Sequence, residues 1–332
     1  MINHFGRKEA KWESTLYDLT PIEEVDGLVF KREDKYAPVG YGAINGSKLR
    51  QLIWLVHGYV SNGGTSGVLS GASVHSPQVS MGTAVANHYG LPSTHVLGAT
   101  NPDSSIKHSN VAMAAVLGAT FEYSKVAYNG ALQGMVKNLL REPRYRDYFH
   151  LEYGVTLGHK IHPARYIEAF HRVGAEQVRN IPECESLIIP SGSCNSLTSI
   201  LYGIALYRPK IKRLIMVEIG PSRRDWVRER LIAIKVANRS VNGISRILNG
   251  SEYPVEYHDL HGTGYSTYQD VLPYSHGGID FHERYEGKVM TYLKQRRPDL
   301  LNQNNVIWII AGDSYMPNMM KAIERHKALE AE

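Results

Sequence analysis

The chain has 332 residues, 43% hydrophobic and 21% charged, an ordinary globular composition with length for about two domains. Lys and Arg number 37 against 32 Asp and Glu, a mild excess that fits a surface balanced for anionic ligands better than one built to hold nucleic acid. No apolar run approaches the ~20 residues of a membrane span, residues 1–9 lack the apolar core of a signal peptide, and Cys184 and Cys194 make neither a disulfide framework nor a metal cluster; a reducing cytoplasm is the expected setting.

Residues 40–47 are rich in glycine and small side chains. A helix follows, with Leu49, Leu52, Ile53, Val56, Tyr59 and Val60 at helical spacing. Residues 61–67 form a glycine-rich loop. Beyond it, strands are expected over 68–70, 94–97, 120–123, 149–153, 186–190, 213–218, 255–260 and 306–311. Helices are expected over 80–89, 105–117, 131–140, 164–178, 197–207 and 283–293. Leu187-Ile188-Ile189 and Val306-Ile307-Trp308-Ile309-Ile310 are unbroken apolar runs, as in strands covered on both faces. The alternation argues for α/β architecture. The chain carries no internal repeat and no low-complexity tract.

Four segments invite a chemical reading. Lys48 stands at the loop-to-helix junction, where its amine can approach an anion or a carbonyl. It does not complete a phosphate-binding P-loop, because Ser47 separates it from Gly46 and Leu49 stands where a magnesium-binding hydroxyl belongs; on spacing alone it reads better as a solvated lysine at a helix start. Ser191, Gly192, Ser193, Cys194, Asn195 and Ser196 join a strand to a helix. Their backbone N–H groups and the helix dipole suit a phosphate, although a plain strand-to-helix turn has the same composition. Ser73, His75, Ser76 and Gln78 lie on a similar turn, which a substrate carboxylate or simple helix capping would explain. Tyr285-Glu286-Gly287-Lys288 carries no signal in its spacing alone.

In this order, the four segments resemble the pyridoxal phosphate (PLP) enzymes of the tryptophan synthase β fold type, nearest the branch of 1-aminocyclopropane-1-carboxylate deaminase and D-cysteine desulfhydrase. Lys31-Arg32-Glu33-Asp34 matches a segment that precedes the PLP lysine there. Asn45-Gly46-Ser47-Lys48-Leu49-Arg50 matches the lysine motif, residues 72–80 fall in register with the substrate-carboxylate loop, and Tyr285 to Lys288 match residue for residue. The likeness runs from about Lys31 to Asp313. Departures are Ser47 for Asn, Pro77 for the Asn that touches the cofactor ring, Ser80 for Arg, and a closing motif that reads Ala311-Gly312-Asp313-Ser314.

The resemblance implies two domains, each a mostly parallel twisted sheet covered by helices, with the cofactor in the cleft between them. Residues 1–50 and 161–332 would form the large PLP-binding domain and residues 51–160 the small one. Lys48 would be the Schiff-base lysine, residues Ser191 to Ser196 would hold the phosphate, and Ser76 would receive the substrate carboxylate. Glu286 would face the pyridine nitrogen and keep it protonated, a strong electron sink suited to deamination, ring opening, racemisation or decarboxylation. Tyr285, with Tyr268 and Tyr265 as further candidates, would act beside the substrate. The first expectation is a lyase or deaminase acting on a small free amino acid, in a homodimer as is common in that family. A second is the same chemistry on an amino-acid group attached to a larger carrier, such as modified phage-type DNA. A third, a non-catalytic binding protein on this fold, sits poorly with the retention of both Lys48 and Glu286.

Overall fold

The computed structural model describes residues 12–99, 101–157, 162–251, 253–267, 269–311 and 316–331. Within them the chain lays down twelve strands: β1 (Ile22–Val25), β2 (Leu28–Arg32), β3 (Val68–Ala72), β4 (Ser93–Leu97), β5 (Thr120–Tyr123), β6 (Phe149–Leu151), β7 (Cys184–Ser191), β8 (Ile211–Glu218), β9 (Val255–Asp259), β10 (Tyr274–His276), β11 (Ile279–Phe281) and β12 (Asn305–Ile309). One sheet has the order β1-β2-β12-β7-β8-β9, and all its neighbours are parallel except β1 against β2. A second, wholly parallel sheet has the order β5-β4-β3-β6. The α/β architecture with two mostly parallel sheets is therefore present.

The apolar runs behave as their composition demands. Successive strand side chains point to opposite faces, so Leu187 and Ile189, Leu214 and Met216, and Val306 and Trp308 pack on one side of the large sheet with helices Ala164–Ala175, Asn195–Tyr207 and Arg224–Ala237. Ile188, Ile215, Val217, Ile307 and Ile309 pack on the other with Val289, Met290 and Leu293 of helix Glu286–Arg296.

Several elements escaped the sequence reading. The β1–β2 hairpin turns at Asp26-Gly27, both with positive φ (46° and 77°), the geometry that matches the twist of two-residue hairpins. Gly277-Gly278 turns the β10–β11 hairpin in the same way. Helices Arg224–Ala237, Gly243–Leu248 and Met316–Ala331 were also unforeseen. The helix expected over 105–117 is two, Pro102–Ser105 and Ser109–Val116. Among the described residues no helix is long and apolar enough to cross a membrane.

The Lys-Arg-Glu-Asp segment ends β2 and acts as scaffold. Glu33 is buried and accepts from Arg50 Nε at 3.2 Å and from Trp308 Nε1 at 3.4 Å. Arg50 has no exposed surface, lies over the Tyr36 ring at 3.6 Å, and donates to the carbonyls of Leu16 and Asp18. Arg50 sits two residues after Lys48, so this buried pair fixes the lysine helix against the large sheet.

Candidate active site

The carboxyl ends of strands from both sheets converge on one cavity system, where ligands bind in open parallel sheets. β7 leads into the turn ending at Ser196, β12 into Ile310 and Ala311, β8 into Ile219 to Arg223, and β3 into Ser73 to Gln78. Lys48 opens helix Lys48–Ser61. Its loop is held by Gly46, whose φ of 114° favours glycine, in a bridge with Ala311, and by Ser47 N–H donating to the Ile310 carbonyl at 3.0 Å. The hydroxyls of Ser47 and Ser196 lie 2.7 Å apart, tying the lysine loop to the β7 turn. Lys48 keeps some accessible surface because it lines the cavity, yet its amine is enclosed by protein atoms. Burial, with the nearby Arg223 charge, pulls its pKa down to about 8.

One end of the cavity is prepared for an anion. Cys194 takes a left-handed conformation (φ 67°) that swings the chain from β7 into helix Asn195–Tyr207, and no side chain caps that helix. Its first N–H groups are thus open to a ligand. The Ser191 hydroxyl and Asn195 Oδ1 are buried without a hydrogen-bond partner. Asn195 Nδ2 donates to the Gly154 and Val155 carbonyls at 2.7 and 2.8 Å, which joins this helix to the turn after β6. Gly192, Ser193 and Ser196 line the cavity with Lys48. Cys194 also lines it; burial pushes its thiol up to about 12, which keeps it protonated.

The other end is prepared for a cation. Glu286, 1% exposed, begins helix Glu286–Arg296, and its Oε1 accepts from the Ile310 and Ala311 N–H groups, each at 2.9 Å. Its Oε2 is buried with no partner. Burial raises this carboxyl to about 7 in spite of the two backbone donors. An uncapped helix with an orphaned hydroxyl, an enclosed lysine and an orphaned carboxylate oxygen, all lining one cavity, match a phosphate, an aldehyde carbon and a protonated ring nitrogen. The residues present fit PLP.

The remaining candidates divide. Tyr285 lines the cavity beside Lys48, and so does Ser76, in a continuation of about 290 Å³ that also reaches Tyr153, Asn129 and Arg223. Gln78 turns away from it: its Nε2 donates to the Glu152 carbonyl at 3.1 Å and its Oε1 accepts from Gly154 N–H at 2.7 Å, so it supports the turn after β6. Ser73 accepts from His75 N–H at 3.4 Å. The His75 ring faces a different cavity, packed on His108 at 4.4 Å; burial, with Arg284 near, holds it neutral, down to about 4. Tyr265 packs on Tyr292 and donates to Gln295, away from Lys48. Tyr268 and residues 312–314 of the closing motif lie outside the described residues. Arg223 was missed as a site residue. It follows the end of β8, and that position was the only signal. Among the described residues no cluster of side chains is arranged to hold a metal ion.

No family model matches the chain. Over 96% of its length it is 37% identical to the O-seryl-dTMP PLP-dependent decarboxylase of Salmonella phage ViI, 87% of which is covered. Among solved structures, an ACC deaminase homologue superposes with a TM-score of 0.66 at 16% identity, covering 95% of this chain and 100% of that one. The processed form of threonine deaminase isoform 2 from Solanum lycopersicum gives 0.53 at 14% identity, over 96% and 89% of the two chains. Serine racemase from Dictyostelium discoideum gives 0.53 at 14%, over 88% and 92%. At these identities the solved structures speak for the fold alone.

Proposed function

Because this chain belongs to the PLP-dependent enzymes of fold type II, we propose that it removes the α-carboxyl group from an amino acid carried on a nucleotide. The observation that carries this reading is the 37% identity, along nearly the whole chain, to a phage enzyme named for decarboxylation of O-seryl-dTMP. The first expectation, a free small amino acid, would leave unused the continuation of the cavity past Ser76 towards Tyr153 and Arg223.

When bound, PLP supplies an electron sink for the pair left on Cα as a bond to that carbon breaks. Lys48 would be the residue that holds it. The Lys48 amine, which lines the cavity, would serve Cα of a bound amino acid. With its pKa pulled down to about 8 by burial, it exchanges protons readily near neutral pH. The net change replaces the carboxyl group by a proton and releases CO2, and Lys48 is the donor of that proton. Glu286 would offer Oε2 to the ring nitrogen, its other oxygen being fixed by two backbone donors. Ser191 to Ser196 hold the phosphate.

A carboxylate leaves more easily where no donors stabilise its charge. Pro77 and Met81 line the cavity near Lys48. Proline brings no N–H, so the loop after β3 offers a carboxylate fewer donors than the Asn of the resembled deaminases would. Tyr285 and Ser76 flank the substrate end. The test is direct: purified protein loaded with PLP is incubated with O-seryl-dTMP and the product is weighed by mass spectrometry. Loss of the mass of CO2 is expected. An unchanged conjugate, or ammonia released from free serine instead, refutes the reading.

A further inference from the structure

Helix Arg224–Ala237 buries Val227, Arg230, Leu231 and Ile234, the i, i+3, i+4, i+7 face that an amphipathic helix turns to the core. One of these four is an arginine. Arg230 is 2% exposed, and its Nε and Nη1 have no hydrogen-bond partner. Its guanidinium lies 4.8 Å from the Trp226 ring centroid. Glu152 and Glu229 attract it electrostatically, but among the described residues neither forms an ion pair with it. Lys, Arg, Asp and Glu are almost never fully buried unless paired, because an unpaired buried charge is costly.

Arg230 lines a cavity of about 290 Å³ together with Asn129, Gln133, Tyr153, Arg223 and Trp226, and with one carboxylate, Glu152. Asn129, Tyr153 and Arg223 also line the cavity that holds Lys48 and Ser76, so the two spaces adjoin. Gln133 Nε2 donates to the Gly71 carbonyl at 3.0 Å, which fixes its amide. A guanidinium fork suits the oxygens of a phosphate, an indole or phenol suits the face of a base, and amides suit polar base edges.

We propose that this second cavity is a nucleotide subsite, in which Arg230 receives the phosphate of the nucleotide that carries the amino acid, with the base against Trp226 or Tyr153. The proposal rests on the reading of a nucleotide-linked substrate and assigns which residues recognise it. Phosphate as a monoester and as a strand diester both offer unbridged anionic oxygens to a guanidinium, so the experiment separates them.

PLP-loaded protein is titrated calorimetrically with thymidine, with dTMP and with a short oligothymidylate, for wild type, Arg230→Met and Arg230→Lys. Wild type binds dTMP or the oligonucleotide at least about 10-fold tighter than thymidine, as a charged hydrogen bond implies. Arg230→Met erases that difference, weakening the phosphorylated ligand by roughly 10- to 100-fold while thymidine is unaffected. Arg230→Lys restores it in part. Preference for dTMP marks the monoester as the physiological form, and preference for the oligonucleotide marks the diester. Equal binding of thymidine and both phosphorylated ligands by wild type, or undiminished phosphate preference in Arg230→Met, overturns the proposal. A melting temperature well below wild type, with that preference intact, makes Arg230 structural and overturns it too. Turnover of O-seryl-dTMP separates the two readings: turnover with a KM unaltered in Arg230→Met sinks the subsite and spares the activity. Absent turnover with Arg230-dependent phosphate binding sinks the activity and spares the subsite.

Discussion

Glu286→Gln should stabilise the cofactor-free protein while damaging the loaded enzyme. Glu286 Oε2 has no partner among the protein's own groups, and burial lifts the carboxyl from 4.5 to about 7. Below about pH 4.5 the carboxyl is protonated in both folded and unfolded chains, and the group adds no pH dependence. Between about 4.5 and 7 the unfolded chain gives up a proton that the folded chain keeps, so stability falls by about 1.4 kcal/mol per pH unit. Above about 7 the loss is complete. A shift of about 2.5 units amounts to roughly 3 kcal/mol. Glutamine has no proton to lose, and its amide oxygen can still accept from the Ile310 and Ala311 N–H groups. Urea unfolding of cofactor-free protein from about pH 5 to about pH 8 should therefore show wild type losing stability relative to Glu286→Gln by about that amount. With PLP bound, the ring nitrogen neutralises Oε2 and the difference closes, while turnover of the variant drops roughly 10- to 100-fold, the worth of a charged hydrogen bond. Parallel stability curves for the two cofactor-free proteins would refute the account of Glu286 as a buried acid with one unpartnered oxygen.

Three further outcomes follow from named contacts. Glu33→Gln breaks the buried pair with Arg50, which leaves an uncompensated guanidinium; urea unfolding should show a loss of about 3 kcal/mol or more, and a change within about 0.5 kcal/mol would place the strength of that corner elsewhere. The Lys48 amine attacks an aldehyde only when neutral, so the rate of PLP uptake by cofactor-free protein, followed by stopped-flow absorbance, should rise about tenfold per pH unit up to about 8 and then level off. Levelling only above about pH 10 would mean the amine is not enclosed as described. Pro77→Asn returns donors to the carboxylate loop and should slow CO2 release by about tenfold or more without loss of PLP. An unchanged rate of product formation would remove Pro77 from the mechanism.

The resemblance gave the cofactor and the order of the site, while composition and periodicity gave α/β class and the central strands. The expected runs at 186–190, 213–218 and 306–311 lie within or overlap β7, β8 and β12, because strands buried on both faces leave an unbroken apolar signature. The hairpins escaped although Asp26-Gly27 and Gly277-Gly278 were in plain view, since their strands are only three to five residues long. Gln78 was assigned to the substrate from its register alone, and register does not say which way an amide turns; two backbone partners on the turn after β6 decided it.

Helix Arg224–Ala237 escaped for a more instructive reason. Its core face reads Val227, Arg230, Leu231, Ile234, and one arginine on that face breaks the apolar period by which a helix is found. The sequence alone does not distinguish the members of the cluster Arg223, Arg224, Arg228 and Arg230. The structure divides it: Arg228 is exposed, Arg224 pairs with Glu218, Arg223 borders the Lys48 cavity, and Arg230 is buried. A packing requirement alone would have filled position 230 with leucine or methionine. Sequences that obey local rules elsewhere tend to break them at functional sites. On that argument the failure of the pattern at Arg230 points in the same direction as its unpaired nitrogens, towards a ligand that brings the missing negative charge.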